Sequence, residues 1–273
     1  MLSDWQQHFT AGQRERIRKL GLLTGLRYKQ RRGFWPANFE RGLVLQRLVA
    51  LARPKAVLEL GTGRGLGVLS IADAVREQQL DCTILSVDII SPTTKQAWPI
   101  EIEGVQQDMQ ASIDDIWSRH VEEDLRKRIL LRTGKTTSVL PALVKQGRKF
   151  DVIFIDAGHD VFSVIHDLSY AAVLLATDGA ILLDDFAPLE EFGIGTCIAV
   201  AHARRWFGQV ETFATEGLVY GGAAVAGAPR GMALIKGPFE PHPHVRRSSF
   251  VWWRFAAAVL ARCYRPAVFP LAQ

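Results

Sequence analysis

An α/β protein built on a doubly wound, mainly parallel sheet is predicted here by three observations. Short apolar runs suited to a buried sheet recur along the chain: AVLEL (56–60), DCTILSVDI (81–89), ILL from 129, FDVIFI (150–155) and AILLDD (180–185). Stretches with helical spacing separate them, and helical crossovers place such strands parallel, with all carboxyl ends on one edge. On that edge one run ends in a glycine loop and others end in acids. Open α/β sheets bind their ligands there.

The elements follow in order. NFERGLVLQRLVALA (38–52) has apolar residues at helical spacing and is stopped by Arg53-Pro54. AVLEL is a strand, GTGRG a tight loop and LGVLSIADAV a helix. After DCTILSVDI comes a long polar connection, whose segment SPTTKQAWPIEIEGVQQDMQ is expected to fold over the crevice as a lid, with Trp98 as a substrate platform. The strand at 129–132, a helix near TSVLPALV, the strand at 150–155, a helix over 161–175 and the strand at 180–185 complete the alternation. Beyond residue 187, LEEFGIGTCIAVAHARRWF reads as a helix, and QVETFAT and GMALIKG as two closing strands around the glycine-rich GLVYGGAAVAGAPRG. The chain thus divides into a basic helical extension (1–37), a main domain (38–236) and an apolar, basic helical tail (237–273). Within the tail, FVWWRFAAAVLARCYR (250–265) suits a core-capping or dimer-forming helix, or a helix lying on a membrane surface.

Composition bounds the function. With 273 residues and 48% hydrophobic content the chain buries a large core, so one sizeable domain with appended segments is expected. Cys82, Cys197 and Cys263 form no CxxC pair, which argues against a zinc knuckle or a disulfide framework and for a reducing, cytoplasmic setting. No apolar stretch approaches the roughly 20 residues of a membrane span, and the first residues lack the apolar core of a signal peptide. Residues 1–53 carry 11 basic and 3 acidic side chains, residues 54–235 carry 16 and 24, and residues 236–273 carry 6 and 1. Basic ends around an acidic middle pack on it, meet an anionic partner, or form a solvated face. Without an aromatic recognition pattern, nucleic acid is not expected as a partner.

VLELGTGRGLG sets a strand directly against glycines and then a helix, the context that a nucleotide-type ligand requires. The dinucleotide pattern would need Gly or Ala at 66, where Leu66 stands, and a phosphate loop ending at TGKT would need glycine at 129, where Ile129 stands. What matches is E-x-G-x-G-x-G from Glu59 to Gly65, followed by an acid, Asp88, at the end of the next strand. In this the chain resembles the class I S-adenosylmethionine-dependent methyltransferases over residues 38–236. The resemblance implies a Rossmann-like, doubly wound, mainly parallel sheet with an antiparallel closing strand. It places the backbone of Gly61, Thr62, Gly63 and Gly65 beside S-adenosylmethionine, Glu59 at the cofactor's amino-acid end and Asp88 on the ribose hydroxyls, with Lys135 and Asp156 completing the cofactor set. A carboxylate, being acceptor-only, suits two hydroxyl protons.

Asp156 ends one strand and Asp184-Asp185 the next, so three carboxylates are placed to converge. Close anions repel unless a cation lies among them, and an all-oxygen set suits Mg²⁺, Ca²⁺ or Mn²⁺. This pattern resembles the divalent-metal O-methyltransferases of the catechol and caffeoyl-CoA type, and in wording the macrocin O-methyltransferase-like branch, where an "IDG-H" and a "DD" strand end recur. By that resemblance Asp156, Asp184 and Asp185 hold Mg²⁺ or another divalent cation, Asp156 and His159 are catalytic, and the acceptor is a small-molecule hydroxyl. The alternatives are a metal-independent methyltransferase acting on nitrogen or a carboxylate, and a cofactor-binding scaffold that recruits a partner or a membrane through its tail. His159 falls where the catechol-type enzymes place a lysine base. Two departures stand out: Gly67 replaces a serine that grips the cofactor carboxylate, and Gly134-Lys135-Thr136 replaces Gly-Asp-Ala at the adenine pocket. His166 is expected to be packed or solvated, and His202, His242 and His244 receive no role.

Overall fold

The computed structural model describes residues 2–28, 34–35, 39–188, 191–205, 207–215 and 230–239. A 3-10 helix (Leu2–His8) and α1 (Ala11–Thr24) open the chain, followed by a two-residue pair, β1 (Arg27–Tyr28) and β2 (Phe34–Trp35). Thr10 and Gln13 cap α1 reciprocally, each side chain satisfying the other's backbone N–H. The amphipathic α2 (Glu40–Ala52) ends where expected: Arg53 turns left-handed at φ 43° and Pro54 follows. Then come β3 (Ala56–Leu60), α3 (Leu66–Glu77), β4 (Thr83–Asp88), β5 (Gln96–Ile102), β6 (Val105–Ala111), α4 (Ile113–His120), α5 (Glu123–Arg126), β7 (Ile129–Thr133), α6 (Thr136–Lys145), β8 (Phe150–Ile155), α7 (Val161–Leu174) and β9 (Leu175–Phe186). A 3-10 turn (Glu191–Gly193), α8 (Ile194–Ala203), β10 (Phe207–Thr215) and β11 (Arg230–Phe239) close the described chain.

Seven strands form one sheet in the order β10-β11-β9-β8-β3-β4-β7. The five from β9 to β7 are parallel, while β11 runs antiparallel to both β9 and β10. Alternation along the strands feeds two cores. Val152 and Phe154 face one with α2 and α3, and Ile153 and Ile155 face the other with α6, α7 and α8. From β3 the chain first builds outward to β4 and β7, then returns to lay β8 and β9 on the other side of β3. That reversal opens a crevice at the carboxyl ends of β3 and β8.

The segment expected to fold over the crevice is an antiparallel hairpin, β5 with β6, turned at Glu103 (φ 50°) and Gly104 (φ 80°), and Arg64 of the glycine loop donates to its Ala97 O at 2.9 Å. Trp98 is no substrate platform: it is 0% exposed, and its indole N–H donates to Leu23 O of α1 at 2.8 Å. The polar connection after it also hides a helix, since Ser112 and Asp115 cap α4 reciprocally. The helix expected beyond residue 187 is shorter, comprising α8 and its preceding 3-10 turn. Residues 216–229, most of the glycine-rich segment, and the expected tail helix at 250–265 lie outside the described residues. Among the described residues no helix is long and apolar enough to cross a membrane.

The basic N-terminal segment packs on the acidic domain. Arg16 on α1 meets Asp73 and Glu77 of α3 at 3.4 and 2.9 Å, and Arg41 reaches the acids at the sheet edge.

Candidate active site

Backbone hydrogen bonds beyond the sheet ladder stitch the strand tips together. Asp156 N donates to Leu60 O at 2.8 Å, Gly61 N to Val87 O at 2.8 Å and Gly134 N to Asp88 O at 2.7 Å. The glycines of the loop have distinct reasons to be glycine. A Cβ at Gly61, where φ is +92°, would lie 2.0 Å from the backbone oxygen of Asp156. A Cβ at Gly65 (φ +107°) would strike Trp117, whose indole N–H holds Arg64 O at 3.1 Å. Gly63 differs: at φ +56° nothing lies within 4 Å of its would-be Cβ, so this turn of the loop faces open space.

Beneath the loop lies a buried polar chain. Glu59 is 0% exposed and accepts from the Ser86 hydroxyl, whose oxygen is 2.6 Å from Thr62 Oγ1. Burial drives the Glu59 carboxyl well above the usual carboxylate range, against the pull of the Ser86 hydrogen bond. Glu59 and the Thr62 side chain therefore support the loop from below instead of lining its open face. Glu59 Oε1 also explains Gly67, because a Cβ there would approach it to 2.3 Å. The serine of the resembling enzymes has no room at this position.

Asp88 stands at the tip of β4, one carboxylate oxygen accepting from Gly63 N and the other from Ile90 N, both at 2.8 Å. Each oxygen keeps further acceptor capacity for a ligand beside Gly63. Lys135 is exposed at the start of α6, at the neighbouring strand tip. An open glycine turn flanked by a carboxylate fits the adenosyl cofactor that the motif implies. Gly61, Gly63, Gly65 and Asp88 would hold it.

The acid trio does converge, around the chain's own cations. Arg41, in the first turn of α2, sends Nη1 to Asp156 Oδ2 and Nη2 to Asp184 Oδ2, the latter at 2.9 Å. His159 Nδ1 lies 2.8 Å from Asp185 Oδ2. Asp185 holds this position at φ +57°, a left-handed conformation that costs a non-glycine residue about 1 kcal/mol and so draws attention to function. Asp184 Oδ1 caps the same kink by accepting from Asp185 N at 2.8 Å, and its carbonyl accepts from Thr196 Oγ1. A small cleft between the strand tips is lined by Asp156, Gly158, His159, Asp184, Asp185 and Thr196.

Burial, followed by the neighbouring carboxylates, pushes Asp156 up to about 7 even though Arg41 pulls it down. The Asp185 hydrogen bond raises His159 above its ordinary value. Asp160, also exposed by the strand end, is the cap of α7, accepting from Ser163 N at 3.0 Å. His166 is buried against Asp167 at 2.8 Å.

The residues expected to hold Mg²⁺ do not fit a metal as arranged. Two of the three acids grip a guanidinium and the third an imidazole; among the described residues no group of three or more His, Cys, Asp and Glu is set to hold an ion. Arg41 is the functional residue that the sequence reading missed. Its signal was present: Arg41, Leu45 and Leu48 share one face of α2, and a charge on an apolar face requires a buried counter-charge.

Residues 58–186 match the model of a family described as a methyltransferase domain. No curated protein matches the sequence. Among solved structures, the O-methyltransferase TomG of Streptomyces achromogenes, involved in tomaymycin synthesis and in complex with S-adenosylmethionine, is 17% identical, with 72% of this chain and 79% of that chain covered and a TM-score of 0.52. The O-methyltransferase of Bacillus cereus, in complex with S-adenosylhomocysteine, is 16% identical, with 86% and 100% covered and a TM-score of 0.52. Likenesses this distant show the fold alone: the chain shares the α/β fold of these two proteins, and residues 58–186, a little under half of it, match the methyltransferase-domain model.

Proposed function

We propose that the chain is an S-adenosylmethionine-dependent O-methyltransferase acting on a hydroxyl of a small molecule. One observation carries a base-assisted transfer: a half-exposed imidazole, His159, is held by a buried carboxylate, Asp185, at the strand tip beside the glycine crevice. The O-methyltransferases among the similar structures favour oxygen as the acceptor. When bound, S-adenosylmethionine supplies an electrophilic methyl group on a sulfonium, which leaves as a neutral thioether. Asp185 orients His159 by accepting from Nδ1–H, leaving the Nε2 lone pair to take the acceptor's O–H proton. The acceptor oxygen, its proton passed to His159 Nε2, would thereby be left to receive that methyl group. Gly61 to Gly65 and Asp88 would hold the donor.

The resemblance would add a divalent cation that binds the acceptor oxygen. That version requires Asp156 and Asp184 to release Arg41 and Asp185 to release His159, so the proton step is assigned here to the chain's own base.

Incubation with S-adenosylmethionine and a panel of small-molecule alcohols and phenols, read by mass spectrometry, should give O-methyl product. His159→Ala should slow turnover by about 100-fold or more while leaving cofactor affinity intact. Products methylated on nitrogen or on a carboxylate, or full turnover by His159→Ala, would overturn the reading.

A further inference from the structure

We infer that Arg41 is a built-in cation, occupying between the tips of β8 and β9 the place that the resembling enzymes give to a divalent ion, so that this site takes no metal. The inference rests on the proposed function for what the site does, but the charge argument is independent of it. One planar guanidinium spans acids from two strands, Nη1 on Asp156 and Nη2 on Asp184. Nη1 hydrogen-bonds Asp156, while Nη2 lies within ion-pair distance of Asp184 Oδ2 without hydrogen-bond geometry, and the guanidinium keeps its charge throughout the working pH range.

Arg41 is anchored on the apolar face of α2 with 9% of its surface exposed, one and two turns from Leu45 and Leu48, which are 0% and 2% exposed. It belongs to the packed interior and does not swing in from solvent. The third acid is turned away by the left-handed backbone at Asp185 and pairs with His159. Three carboxylates therefore meet one permanent and one titratable cation from the chain itself. A divalent ion would have to bind the same carboxylate oxygens at about 2.0–2.6 Å, against the guanidinium's charge and in its place.

The consequence for the reaction is specific. With a guanidinium already bound to its acids, the site offers no Lewis acid to an acceptor hydroxyl, and activation falls to the His159–Asp185 pair. Arg41 is thus a positioning residue that keeps the two strand tips together.

The test is Mn²⁺ binding to chelator-stripped full-length protein, read by electron paramagnetic resonance, with calorimetric titration of S-adenosylmethionine in the same buffer. Wild type should hold no Mn²⁺, and chelator should not change cofactor affinity. Arg41→Gln, which frees the acids, should bind Mn²⁺ at least about tenfold more tightly than wild type, a gain of about 1.4 kcal/mol. Arg41→Lys, which keeps a charge, should stay close to wild type. Mn²⁺ held by wild type and lost in Asp184→Asn would overturn the inference, as would an Arg41→Gln variant no tighter than wild type. Should Arg41→Gln not fold, wild type, Arg41→Lys and Asp184→Asn still decide. If wild type ignores Mn²⁺ and also fails to bind S-adenosylmethionine, the functional proposal falls while the inference about Arg41 stands.

Discussion

Replacing Arg41 by glutamine should destabilise the protein in a pH-dependent way. The side chain bridges Asp156 and Asp184, whose side chains are 18% and 5% exposed. Removing one partner of such a buried ion pair costs about 3–5 kcal/mol, because the remaining charges are left without compensation. Partial exposure of Asp156 argues for the lower end. At about 3 kcal/mol and about 2–4 °C per kcal/mol for a domain of this size, Tm should fall by about 6–12 °C at pH 8.

The sign with pH follows from Asp156. Its folded-state pKa is raised to about 7, above the unfolded value, so the folded protein takes up a proton as pH falls through that range. Below it, Arg41 faces a neutral acid and only the pair with Asp184 remains. The penalty of Arg41→Gln should therefore shrink to about half at pH 5.5. Thermal unfolding at the two pH values measures this. An equal loss at both, or a loss under about 1 kcal/mol at pH 8, would refute the buried-pair reasoning.

Two further outcomes follow from the site. Gly61→Ala should cost about 3 kcal/mol, from a Cβ driven against the Asp156 carbonyl at 2.0 Å plus left-handed strain, whereas Gly63→Ala, with nothing near its Cβ, should cost only the strain, about 1 kcal/mol. Equal losses on chemical denaturation would contradict the stitched strand tips. Because Asp185 raises the pKa of His159, the unprotonated base appears only above the ordinary imidazole range, so the methyl-transfer rate should climb on that displaced limb. Asp185→Asn should move the limb to lower pH, and a pH–rate profile that stays in place would exclude His159 as the base.

The sheet was legible because its inner parallel strands β3, β4, β8 and β9 are largely buried on both faces and so read as apolar runs between helical stretches, whereas the edge strand β7, with Leu130 66% exposed, shows only as ILL. GTGRG was legible as well, since three of its positions adopt left-handed backbone, which favours glycine. The acids were correctly gathered at one edge, yet their partners were not visible. Arg41 lies 115 residues before Asp156, and only folding brings α2 across the tip of β8. Counting carboxylates alone points to a metal, and the counter-charge that the chain itself supplies was not visible.

The hairpin was missed for a related reason. QAWPIEI and VQQDMQA alternate around Glu103-Gly104, a hairpin signature, but nothing local shows that Trp98 finds Leu23 O on α1. Likewise, the absence of a serine at 67 looked like a lost cofactor contact, whereas Glu59 buried beneath the loop leaves no room for one.

Calorimetric titration of S-adenosylmethionine into wild type and Gly63→Arg tests the central claim most directly. Gly63 faces open space, so an arginine there leaves the core untouched and fills only the crevice. Saturable binding of one equivalent by wild type, abolished in a variant whose Tm falls by no more than the roughly 2–4 °C of left-handed strain, is the predicted result. Undiminished binding by Gly63→Arg would place the cofactor elsewhere and contradict the account.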